Sequence, residues 1–190
     1  WDDTDNDGAA GVVALSSANT WGYTNSMSGA DLSISYNKQN GTNVGHSKSA
    51  VISSSSLMDN LEVGYGMADI AAASAETSTD ATTMYGKYTM GGATFGVQMS
   101  DIDKSASNSD EQRLHYAVSF AINENLSASV GRSVVDFDAA TKSDQENVGV
   151  AVSYTMGSMT VVAFQNSEEN SGGTAASDDK ATEVAISFAF

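Results

Sequence analysis

Hydrophobic and polar positions alternate with a period of two through most of the chain. Leu32, Ile34 and Tyr36 are separated by Ser33 and Ser35, and Leu61, Val63, Tyr65 and Met67 by Glu62, Gly64 and Gly66. Ala93, Phe95, Val97 and Met99 alternate with Thr94, Gly96 and Gln98. The same rhythm runs through Leu114/Tyr116/Val118/Phe120, Leu126/Ala128/Val130, Val148/Val150/Val152/Tyr154 and Val184/Ile186/Phe188/Phe190. Successive side chains on a strand point to opposite faces, so each segment has one apolar face and one small or polar face. No comparable 3.6-residue stripe exists; the nearest candidate, Ala68–Ser78, is an Ala/Ser stretch with acids. The pattern predicts an all-β chain of eleven strands at 19–26, 30–37, 48–56, 61–68, 81–89, 93–101, 112–122, 126–135, 146–156, 159–166 and 182–190. Two are weakly written: 48–56 is polar on both faces, and in 159–166 Val161 and Val162 compete for one face.

The connectors alternate as regularly as the side chains. Short turns rich in Gly, Asn and Asp fall at Met27, Met58, Met90, Asn123 and Met156, in steps of 31, 32, 33 and 33 residues. Those residue types accept the positive φ of tight hairpins. The other connections, 38–47, 69–80, 102–110, 136–145 and 166–181, are longer and polar or acidic. A soluble sandwich mixes loop lengths at both ends. Short turns at one rim and long loops at the other describe an antiparallel up-and-down transmembrane β-barrel. A tilted spanning strand needs about 9–11 residues, and 93–101, 112–122, 126–135 and 146–156 fit. Tyr88, Phe95, Phe120, Tyr154, Phe188 and Phe190 gather near the short-turn rim like an interfacial aromatic girdle.

Composition removes several other classes. The 190 residues include 8 Lys+Arg against 24 Asp+Glu, a formal charge of −16, which opposes nucleic-acid binding. Absence of Cys excludes disulfides and thiolate metal sites, and two His do not make a zinc site. No apolar window is long enough for a spanning helix. The opening WDDTDNDGAA has neither an initiator Met nor a basic, apolar leader, so a processed or internal start is expected. There is no G-x-S-x-G elbow and no Gly-rich loop opening a helix, so an enzyme is not expected. Asp3-Thr4-Asp5-Asn6-Asp7-Gly8 opens like a calcium loop, but its twelfth position is Ala14 rather than Glu, which rejects an EF-hand. A looser Ca²⁺ site on Asp3, Asp5 and Asp7 stands beside the plainer reading of a solvated acidic loop; no cofactor is required.

The carboxy-terminal strand Thr182–Phe190, with apolar residues at alternate positions and a final Phe, resembles the assembly signal of Gram-negative outer-membrane porins, Phe188 and Phe190 being its signature residues. Val152–Val161 and Tyr88–Val97 are similar to hairpins of alphaproteobacterial porins, and the resemblance covers about residues 18–190. That family has sixteen strands, with a constriction loop folded into the pore after the fifth. The resemblance implies that this chain supplies strands six to sixteen, the carboxy-terminal part of a larger barrel. Residues 1–17 would then be the tail of the constriction loop and 18–190 the barrel strands and extracellular loops. It implies Asp2, Asp3, Asp5 and Asp7 on one wall of the constriction, facing a basic wall. Arg113 and His115 share the small-residue face with Ala117 and Ser119, and Lys87 joins them if Met84 and Tyr88 face lipid. For Arg113 the plainer alternative is a rim salt bridge. Arg132 has the apolar parity and is expected to meet lipid headgroups or a neighbouring subunit, because Arg at mid-bilayer on that face costs roughly 2–4 kcal/mol.

The function expected is passive diffusion of small hydrophilic solutes through a water-filled, cation-preferring channel in the outer membrane. Its expected partners are the bilayer and lipopolysaccharide, two further copies in a homotrimer, and the barrel-assembly machinery during biogenesis. A secreted, acidic, calcium-binding β-repeat adhesin or surface-layer module is the rival reading. A closed ten- or twelve-stranded barrel enzyme or transporter built by this chain alone is a lesser one.

Overall fold

A computed structural model of the chain describes residues 20–38, 46–70 and 78–189. Eleven strands form one sheet: β1 (Thr20–Met27), β2 (Ala30–Lys38), β3 (His46–Ser54), β4 (Leu61–Ile70), β5 (Thr79–Met90), β6 (Ala93–Lys104), β7 (Glu111–Ala121), β8 (Leu126–Phe137), β9 (Gln145–Met156), β10 (Met159–Glu169) and β11 (Asp179–Phe188). Every strand pairs antiparallel with its sequence neighbour in the order β1 to β11, a pure meander. All eleven expected segments are therefore strands. Among the described residues the only helical element is a 3₁₀ turn at Ser171–Gly173. β1 and β11 each have a single partner, so the described sheet is an unclosed arc of barrel wall.

The short-turn rim is built by local backbone chemistry. Ser28 and Gly29 both take positive φ (52° and 81°), as the tightest hairpins require, and Gly91 and Gly157 do so at 59° and 61°. At the β7–β8 turn the Asn123 carboxamide oxygen accepts the backbone N–H of Asn125 and of Leu126, each at 2.9 Å. These turns fix hairpin register: Met27 opposes Ala30, Met90 opposes Ala93 and Met156 opposes Met159.

Directly opposed residues share a face, so the register assigns every side chain. One face carries Tyr88, Phe95, Val118, Val130 and Val150 in adjacent positions; the other carries Thr94, Ser119, Ser129 and Ala151. The weak strands now resolve. Ala50 and Ile52 take the apolar side of β3 while Val51 opposes Gly66 on the small side; in β10, Val161 is apolar-side and Val162 opposes Ser153. Most of the large apolar residues stay outside, Phe120 and Val150 being 45% exposed and Ile186 58%, while Phe164 is an exception on the concave face. Only Ile102 and Val135 are buried among apolar side chains of the described residues. A 190-residue soluble domain with so little buried hydrocarbon would not stand.

Several strands run further toward the long loops than expected. β4 reaches Ile70, β6 reaches Lys104 and β10 reaches Glu169, while β11 spans Asp179–Phe188 rather than 182–190. On the apolar-side parity those extensions carry Asp69, Asp103 and Glu169, so the backbone ladder continues after the hydrophobic alternation has ended.

Candidate functional site: the small-residue face

The small-residue face lines a hollow of about 820 Å³ bounded by residues from seven successive strands, from Glu62 on β4 to Asn166 on β10. A flat sheet could not enclose such a volume, so the sheet curls with this face concave and the apolar face convex. Glycines floor it: Lys87, Gly96, Ala117, Gly131 and Gly149 oppose one another in sequence across β5 to β9. Hydroxyls pair across neighbouring strands, Ser35 with Ser49 at 2.7 Å, Thr83 with Ser100 at 2.8 Å, and Thr89 with Thr94 and Thr155 with Thr160 at 3.1 Å. These groups satisfy one another and still present lone pairs to water.

Lys87, Arg113 and His115 all lie on this concave face, as expected from their parity. Neither Lys87 nor Arg113 is a bare charge. The Lys87 ammonium sits 2.6 Å from Glu62, whose carboxylate also accepts the Tyr85 hydroxyl at 3.2 Å. The Tyr85 ring closes over Gly64, where any Cβ would run into it. Nearer the long loops, Arg113 Nη2 donates to Glu111 Oε2 at 2.7 Å and Lys104 Nζ to Glu111 Oε1. Arg113 thus lies on the concave face and in a salt bridge with Glu111. His115 opposes Gln98 and Ser133, and it lines a second hollow of about 1050 Å³ together with Arg113 and Glu111.

Loops 138–144 and 170–178 form the upper lip of that second hollow, which Lys142 and Gly172 also line. Asn170 ties them, donating from Nδ2 to the Asp144 carbonyl at 3.0 Å, while Ser143 N–H reaches the Gly173 carbonyl at 3.0 Å. The Lys142 ammonium stands 4.1 Å from the Phe137 ring centroid, a cation–π contact.

Sequence reasoning missed Glu62 and Glu111 as partners of Lys87, Lys104 and Arg113. Glu111 was readable: it shares parity with Arg113 two residues on, and it was passed over because β7 was expected to begin at 112. Asp2, Asp3, Asp5, Asp7 and Phe190 lie outside the described residues. Phe188 faces outward, 57% exposed, opposite Met159. Among the described residues no group of three or more His, Asp or Glu is placed to hold a metal. Arg132 is on the convex face, bonded to the Tyr116 hydroxyl at 2.9 Å and to Glu146.

A curled meander with hydrocarbon outside and hydroxyls, glycines and paired charges inside is the wall of an outer-membrane β-barrel. Comparison with known proteins gives the family. The sequence profile of the Gram-negative porins matches residues 1–190, and the chain belongs to that family, whose members reside in the outer membrane. Among solved structures it is similar to an anion-selective porin from Comamonas acidovorans (TM-score 0.75, 14% identity, 90% of this chain and 59% of that one). It is also similar to a loop-deleted OmpT, an outer membrane protein of Vibrio cholerae (0.70, 16%, 89% and 62%), and to Salmonella typhi OmpF in complex with daunomycin (0.69, 12%, 88% and 61%). The chain spans about three fifths of the length of these structures. No curated protein sequence matches it. Family membership displaces the adhesin reading.

Proposed function

We propose that this chain forms part of the wall of a water-filled channel through which small hydrophilic solutes cross the outer membrane by passive diffusion, without turnover. The observation that supports it best is the inverted polarity of the sheet, apolar residues on the convex face and small polar ones on the concave face. Lipid covers the first at no cost, and only water or solute suits the second.

Cation preference follows from charge. On the concave face of the paired strands the acids Asp31, Glu62, Glu111, Glu168, Asp179 and Glu183 outnumber the bases Lys87, Lys104 and Arg113, six against three. Fixed charges of one sign along a pore enrich the opposite ion. The Comamonas porin shows that the same fold also serves anions, so selectivity here rests on these side chains rather than on the fold. Asp2, Asp3, Asp5 and Asp7 would add to the acidic wall, with Ca²⁺ as a ligand for the last three. A homotrimer, contact with lipopolysaccharide and assembly through a terminal signal containing Phe188 and Phe190 complete the proposal.

Planar-bilayer recording of the native protein tests it. Stepwise conductance with a reversal potential on the cation side of zero in a KCl gradient is expected. No conductance would refute the channel, and an anion-side potential would refute the preference.

A further inference from the structure

Glu111 begins β7 at the long-loop side of the concave face and is only 9% exposed. Its two carboxylate oxygens serve different cations: Oε1 receives Lys104 Nζ and Oε2 receives Arg113 Nη2, the latter at 2.7 Å. Arg113 is itself largely covered, with 14% of its side chain exposed, and its Nε has no acceptor in the described structure. One carboxylate therefore faces two cations, Glu111 and Arg113 lining the larger hollow, and within this ion-paired cluster one positive charge is in excess. The neighbouring Asp110 accepts the Lys104 backbone N–H at 2.8 Å and forms no described ion pair with Lys104 or Arg113. No second carboxylate among the described ion pairs stands by to replace Glu111.

We infer that Glu111 is a specificity-determining residue of the channel, setting how much positive charge Lys104 and Arg113 present to a passing ion. The inference rests on the channel reading above and adds a residue to it. Removing the Glu111 charge raises the local excess from one to two positive charges. An elementary charge about 8 Å from the ion path, screened over about 10 Å in 0.1 M salt, changes the cation-to-anion permeability ratio by about twofold; in 10 mM salt the factor is about fourfold.

Reversal potentials of Glu111→Gln, Arg113→Gln and the double variant in planar bilayers test this, each first shown to have heat-modifiable mobility. Glu111→Gln is expected to lower the ratio by these factors, Arg113→Gln to raise it, and the double variant to return it to the wild-type value. A conducting Glu111→Gln channel with an unchanged ratio overturns the inference. So does a shift that the double variant fails to reverse, because it would then not come from the balance of charge between Glu111 and Arg113. If Glu111→Gln does not assemble, Lys104→Met and Arg113→Gln carry the test: each must raise the ratio about twofold, and no change in either overturns it. An anion-preferring wild type would sink the proposed preference alone, since the direction of these shifts does not depend on it.

Discussion

Placing an arginine at two neighbouring levels of the wall, once on each face, measures the inverted polarity directly. Val150 lies on the convex face, 45% exposed, between Val130 and Gln165. It stands four residues beyond Tyr154 of the aromatic girdle. With a rise of about 3.4 Å per residue and a tilt of about 40°, that is about 10 Å into an apolar band about 25 Å tall. Val150→Arg therefore puts a guanidinium near the bilayer midplane, where neither the valine nor the neutral carboxamide beside it can pair the charge. The expected loss is about 2–4 kcal/mol of stability. Ser129 is an exposed residue of the concave face, opposite Ser119 and Ala151. Ser129→Arg projects into water and should change stability by less than about 1 kcal/mol while altering conductance. Equilibrium urea unfolding from lipid vesicles, followed by the shift between heat-modified bands, reads both. A chain that tolerated Val150→Arg and lost several kcal/mol with Ser129→Arg would have its hydrocarbon turned inward, and the membrane assignment would fail with it.

Two glycines on the concave face should answer alike substitutions differently. A Cβ at Gly64 collides with the Tyr85 ring, whereas one at Gly96 meets nothing within 4 Å. Gly64→Ala should cost about 1–3 kcal/mol by overpacking and by loosening Tyr85 from Glu62, and Gly96→Ala should lie within about 0.5 kcal/mol of wild type; urea midpoints compare them. On the convex face, Arg132→Met leaves Glu146 without its cation and is expected to lower the urea midpoint in vesicles. Adding Glu146→Gln should restore much of that loss, because the penalty comes from the uncompensated charge rather than from the missing pair. Equal midpoints for the single and double variants would contradict this.

What the sequence could say about the site was decided by which connections are short. A two-residue turn leaves one register, so Lys87 opposite Gly96 follows from counting outward from Met90 and Ala93, and the sides of Lys87, Arg113 and His115 were legible at once. A long loop leaves the register open, and two of the three ion pairs described on the concave face cross one. Glu62 meets Lys87 across the β4–β5 connection, and Lys104 meets Glu111 across β6–β7. Their geometry is set by ladder hydrogen bonds summed over whole strands, which no local pattern records. Strand ends were hidden for a related reason. Alternation is written into the chain only where one face touches hydrocarbon; above that level both faces are polar, and Asp69 and Asp103 look like loop although the backbone still pairs. The same loss of contrast lets charge accumulate at the loop-side rim at little cost in folding energy. Selectivity can therefore vary there between members of a family whose barrels superimpose at 12–16% identity. The fold is constrained by the apolar face and the turns, and the lumenal charges are free to follow the solute.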